Sequence, residues 1–109
     1  MRLKKISANK NYKMGAAFEA RFIKMLLDKG HAVKGGRFYA SKGITDVWWV
    51  DKKGVHNEAQ LKYSGSKRPY IASHELQRLK NYAIKMNGYM NVWLVRKQAR
   101  KLIEMELVT

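Results

Sequence analysis

Residues 45–63 carry a strand–turn–strand pattern. Thr45 to Val50 (T-D-V-W-W-V) is dense in β-branched and aromatic residues, which suit a pleated, half-buried surface. Asp51-Lys52-Lys53-Gly54 has turn chemistry, and Val55 to Tyr63 (V-H-N-E-A-Q-L-K-Y) then alternates. His56, Glu58, Gln60 and Lys62 fall on one face of that strand. Val55, Ala59, Leu61 and Tyr63 fall on the other, where Asn57 is the misfit. The pattern predicts a hairpin. Trp48 and Trp49 then point to opposite faces, and core packing is expected for at least two of Trp48, Trp49 and Trp93.

Helical spacing flanks the hairpin. Phe18, Phe22, Met25 and Leu26 form one apolar face and predict a helix over Met14–Lys29, stopped by Gly30. Leu76, Leu79, Ala83 and Met86 predict a second helix, capped by Ser73 and ended by Asn87-Gly88. Ala32-Val33 and Phe38-Tyr39 read as short strand pieces, Asn91–Val95 as a fourth strand and Leu102–Val108 as a fifth. The expected order is αβββαββ, an α/β chain with a central mixed sheet flanked by helices. Residues 1–13 show no such periodicity and read as a basic N-terminal arm, which leaves 14–109 as the folded domain. At 109 residues, one core is the expectation.

Charge narrows the partner. The chain has 23 Lys+Arg against 8 Asp+Glu, a formal +15. Self-repulsion of that size opposes compaction and usually serves a polyanion. No apolar run reaches the roughly 18 residues of a membrane span, and residues 1–14 lack the apolar stretch of a secretory signal. With no Cys, disulfides, thiolate zinc sites and Cys nucleophiles are excluded, and a cytoplasmic location is expected. No phosphate-binding Gly loop or dinucleotide fingerprint appears, so no nucleotide cofactor is expected. His31, His56 and His74 lack zinc-ligand spacing, and only His56 lies near an acid on its own face.

In a chain built to meet phosphates, each acid needs a reason. Asp28 lies near a helix end, Asp51 in a turn, Glu75 in a helix first turn, and Glu104 and Glu106 on a late strand. Glu19, Asp46 and Glu58 remain. Asp46 opens one strand of the hairpin, so alternation can bring it near Gln60 and Lys62 on the next. Such hard oxygen donors suit Mg²⁺, with Mn²⁺ substituting; these ions bind through few carboxylates plus substrate phosphate. A nearby Lys can act on water and stabilise charge in the transition state. Taken alone, an E-x-Q-x-K strand in a Lys-rich chain is usually just a solvated face.

Four segments, in order, resemble archaeal-type Holliday junction resolvases of the PD-(D/E)xK nuclease superfamily. They are Gly15–Glu19 (G-A-A-F-E), Asp28–Val33 (D-K-G-H-A-V), Ser41–Val47 (S-K-G-I-T-D-V), and Gln60–Lys62 (Q-L-K) with the Lys67-Arg68-Pro69 loop behind it. The resemblance spans about Gly15 to Val95. It implies a restriction-endonuclease-like fold over 14–109 and a metal-dependent endonuclease that makes paired nicks in four-way DNA as a homodimer. It implies Glu19, Asp46, Gln60 and Lys62 as catalytic residues, with Glu19, Asp46, Gln60 and Glu58 as the candidate metal ligands. Lys4, Lys5, Lys10, Lys13, Arg37, Ser41, Lys42, Lys67 and Arg68 are the candidate DNA contacts, to phosphates more than to bases. One departure stands out: the family places Glu two residues before its Lys, and this chain has Gln60. Glu58 is the residue that can compensate. A nuclease acting on flaps or damaged duplex, and a non-catalytic basic DNA-binding module, are the alternatives.

Overall fold

The computed structural model describes residues 2–35 and 44–109, with side chains from 14–34 and 44–109. Its elements are α1 (Arg2–Asp28), β1 (Ala32–Gly35), β2 (Val47–Val50), β3 (His56–Ser64), α2 (Ser73–Lys85), β4 (Asn91–Gln98) and β5 (Glu104–Leu107). This is the αβββαββ order. The strands form one five-stranded sheet in the order β1-β2-β3-β4-β5. β3 and β4 run parallel across the α2 crossover, and the other neighbours run antiparallel, so the sheet is mixed.

Four boundaries differ from expectation. α1 begins at Arg2, not Met14, so the backbone of the basic segment continues the helix. Its Arg, Lys, Leu and Ala residues are good helix formers and no Gly or Pro interrupts them, so an apolar stripe is not needed for helix there. β4 runs on to Gln98 because its parallel pairing with β3 continues as far as Ser64. β5 starts at Glu104, not Leu102. Ser73 is the first residue of α2; extended Ala72 occupies the cap position without a side-chain hydrogen bond. The Phe38-Tyr39 strand piece lies outside the described residues.

α1 ends as its composition requires. Gly30 adopts φ +87, where a side chain would be strained, and the next amide, His31 N–H, returns to Leu26 O at 3.0 Å. The chain thereby turns straight into β1.

The two helices cover opposite faces of the sheet. α1 buries Phe18, Phe22 and Leu26 against Val47, Trp49, Ala59 and Val95. Phe22 meets the Trp49 ring edge-on at 5.8 Å. α2 buries Leu79 and Ala83 against Val92, Leu94 and Val108. Each fully buried side chain of this size stabilises the fold by about 1.5–3 kcal/mol. Asn57, the misfit, sits 3% exposed on the α1 side with both ends of its amide bonded. Its Oδ1 accepts from Trp93 Nε1 (2.9 Å) and Asn91 Nδ2 (3.2 Å). Its Nδ2 donates to Val55 O (2.9 Å) and Asp51 Oδ2 (3.3 Å). A buried amide is tolerated when it is so satisfied.

Candidate active site

The hairpin register decides which side chains meet. Val47 pairs with Ala59 and Trp48 with Glu58. The ladder extends one step further through Asp46 N–H to Ala59 O at 2.8 Å. Alternation therefore puts Asp46, Glu58, Gln60 and Lys62 on the α2 face. Asp46 Oδ2 accepts from Gln60 Nε2 (3.0 Å) and from the Leu61 backbone N–H (2.8 Å). Burial raises the Asp46 carboxyl above its usual value, against the opposing pull of the Leu61 N–H and of the Lys62 ammonium. By the hairpin register Asp46 stands opposite Gln60, with Lys62 two residues further along the same face.

Lys62 Nζ donates to Glu75 Oε2 at 2.7 Å, and Glu75 lies in the first turn of α2. That hydrogen bond is the largest of the causes that hold the Glu75 carboxyl below its usual value. In the parallel pair Lys62 stands opposite Arg96, so the two cations share one face. Arg96 Nε is buried and has no hydrogen-bond partner among the described residues. The sequence reading passed over both Glu75 and Arg96. Glu75 already had a reason as a helix-dipole acid, and the register that brings Arg96 beside Lys62 follows only from the parallel β3–β4 pairing.

Glu58 belongs to a second network on the same face. Its Oε1 accepts from Thr45 Oγ1 (2.6 Å) and Tyr82 OH (2.9 Å). His56 Nε2 lies 3.2 Å from Glu58 Oε2, but out of line for a hydrogen bond. Desolvation, then the hydrogen bond to Glu58, pushes the Tyr82 hydroxyl up to about 12. Because Thr45 precedes Asp46 in the chain, Glu58 anchors the residue next to the candidate ligand. His56 also stacks on Trp48, with ring centroids 4.7 Å apart.

Glu19 lies on α1 next to buried Phe18 and is half-buried. Among the described residues, no three His, Cys, Asp or Glu side chains gather to hold a metal. Glu19, Asp46 and Glu58 therefore form no three-acid centre. A smaller donor set is present: Asp46 Oδ1 and Gln60 Oε1 accept no hydrogen bond from the described residues and share one face. One carboxylate and one amide oxygen fit Mg²⁺, which takes few protein ligands and completes its shell with water and phosphate oxygens.

Of the candidate DNA contacts, Lys67 and Arg68 lie in the exposed loop after β3. Arg68 is paired with Glu104 at 3.2 Å, a surface contact of small energetic value. Lys4, Lys5, Lys10 and Lys13 fall within α1, but their side chains are outside the described set; Arg37, Ser41 and Lys42 lie outside the described residues altogether. A groove lined by Ala83, Ile84, Met90, Leu107 and Val108 sits near the far end of α2 and shares no residue with this site. No helix among the described residues is long and apolar enough to cross a membrane.

The mixed sheet with a helix on each face is a single-domain α/β fold of the restriction-endonuclease-like kind. In particular, it matches the 1.6 Å structure of Hjc from Archaeoglobus fulgidus, a Holliday junction resolvase from an archaeal hyperthermophile. The TM-score is 0.67 at 17% identity, over 87% of this chain and 73% of that one. At that identity the match establishes the shared fold. No family model and no curated protein matches the sequence.

Proposed function

We propose that the chain is a structure-selective DNA endonuclease that resolves four-way junctions by metal-dependent phosphodiester hydrolysis. The observation that carries this is the convergence of Asp46, Gln60 and Lys62 on one face of a resolvase-like fold in a +15 chain. Asp46 and Gln60 offer oxygens to a divalent ion, Mg²⁺ or Mn²⁺; Glu19, on the helix that covers the opposite face of the sheet, is the further candidate ligand. Such an ion supplies charge neutralisation at the scissile phosphate and activation of water. Lys62 stabilises the charge that builds on the phosphate oxygens. Glu58 holds Thr45 and so fixes the start of the Asp46 strand. The basic residues of α1 and of the 67–68 loop meet phosphates flanking the branch, which gives strongly salt-dependent binding. A four-way junction has approximate two-fold symmetry, so paired nicks call for a homodimer with two such sites.

The test is a labelled four-way junction with Mg²⁺, with and without chelator, beside a linear duplex of the same sequence. Symmetric nicks near the branch, lost with chelator and weak on linear DNA, are expected. Asp46→Asn should bind the junction and cut at least about 10³-fold more slowly, the value of roughly 4 kcal/mol of transition-state stabilisation. Wild-type cutting by Asp46→Asn would remove the mechanism. Preferential cutting of flaps or damaged duplex keeps the chemistry and moves the substrate.

A second reading, a non-catalytic basic DNA-binding module, is favoured by the neutral Gln60 and by the lack of a three-acid cluster among the described residues. It predicts salt-sensitive binding with no hydrolysis at any Mg²⁺ or Mn²⁺ concentration.

A further inference from the structure

Lys62 takes its partner from the helix, not from its own strand. The ammonium, with its side chain 22% exposed, donates to Glu75 at 2.7 Å, whereas the residue two places before it on β3 is the neutral Gln60. Asp46, just before β2, is tied to this part of β3 through Gln60 Nε2 and the Leu61 N–H, on the face that carries Lys62. Lys62 thus shares its face with Asp46 and takes Glu75 from α2. Arg96 stands opposite it on the same face, its buried Nε without a hydrogen-bond partner among the described residues. A like charge placed there pushes a flexible lysine outward unless an anion holds it. The helix dipole accounts for an acid in the first turn of α2. It does not account for that acid reaching down to the lysine of the sheet.

We propose that Glu75 is a positioning residue of the active site. It fixes the Lys62 ammonium against the repulsion of Arg96, and it restores beside Asp46 the negative charge that Gln60 leaves out of β3. The inference rests on the nuclease reading. Its distinctive consequence is that the acid can be moved: a carboxylate returned to the strand at position 60 should replace the one on the helix.

The experiment compares the full-length wild type, Glu75→Gln, Gln60→Glu and the double variant Gln60→Glu/Glu75→Gln. Single-turnover cleavage of a four-way junction is measured across junction concentrations. Mn²⁺ affinity is followed by the electron paramagnetic resonance of free Mn²⁺, and Tm by circular dichroism. Glu75→Gln is expected to cut roughly 10- to 100-fold more slowly, with half-saturation by junction unchanged and Mn²⁺ affinity reduced. The double variant is expected to regain most of the rate and of the Mn²⁺ affinity, whatever its Tm. Undiminished cutting by Glu75→Gln overturns the proposal. So does a double variant as slow as Glu75→Gln, because a merely structural acid would not be replaced from position 60. A wild type that cuts no DNA with either metal overturns the nuclease reading itself, and the role of Glu75 with it.

Discussion

Tyr82→Phe removes one oxygen from the Glu58 network and leaves the ring in place. The lost hydrogen bond runs 2.9 Å to a carboxylate whose side chain is 14% exposed. Hydrogen bonds to charged acceptors contribute about 1.5–3 kcal/mol. The lower end of that range applies at this partly open position. Desolvation, then the Glu58 contact, raises the hydroxyl from 10.0 to about 12, which sets the pH window of the effect. The expected loss near neutral pH is therefore about 1.5 kcal/mol, or a Tm lower by about 6–10 °C for a domain of this size. The sign with pH follows from linkage. A group raised in the folded state contributes its full stability below its unfolded pKa, near 10, and loses it as pH climbs through the folded value. The Tm gap between wild type and variant should thus hold from pH 7 to 9 and shrink from pH 10 to 12. Thermal unfolding by circular dichroism at each pH reads both quantities. A gap below about 2 °C at pH 7, or one that persists unchanged at pH 12, would refute the argument that the Tyr82 hydroxyl holds Glu58.

Three further variants probe the fold and the site. Asn57→Ala leaves Trp93 Nε1 and Asn91 Nδ2 without their shared acceptor in a buried place, and should cost about 2–4 kcal/mol in urea unfolding. Arg96→Met should weaken junction binding about tenfold at low salt and reduce the slope of log K against log salt by about 1, since it deletes a cation that stands opposite Lys62. Asp46→Asn should unfold at no lower temperature than wild type at pH 7, because burial makes the ionised carboxylate unfavourable there. A raised acid stabilises only while protonated, so this advantage should vanish as pH falls below about 4, and a variant less stable at pH 7 would contradict it.

The parts of the molecule legible in the sequence are those governed by local period. The two-residue alternation from Val55 to Tyr63 put Gln60 and Lys62 on one face. The antiparallel turn at Asp51–Gly54 then sufficed to bring Asp46 beside them, since a hairpin fixes its own register. The three- and four-residue spacing of Phe18, Phe22 and Leu26 identified the stripe that covers the opposite face. Even the misfit was informative: Asn57 broke the apolar alternation because it is the hub of a buried hydrogen-bond cluster. What stayed hidden depends on contacts between segments far apart in the chain. Tyr82 reaches Glu58, 24 residues away in the chain, only once α2 folds back over β3. The start of α1 was missed for a different reason: periodicity reports burial, and a helix that is basic throughout carries no such signal.

The placement of the acids ties these levels together. In a +15 chain proposed to bind DNA, a carboxylate on the surface that meets phosphates would weaken binding, so acids are expected to be scarce there. Asp46, Glu58 and Glu75 nonetheless all lie on the α2 face of the sheet, one on each of β3 and α2 and one at the mouth of β2. Each is held by a specific donor: Leu61 N–H and Gln60 for Asp46, Thr45 and Tyr82 for Glu58, Lys62 for Glu75. A merely solvated face would leave such groups exposed and unpaired. Electrostatic cost retained in an ordered arrangement, beside two cations that share the same side of the sheet, is what a site for phosphate chemistry requires.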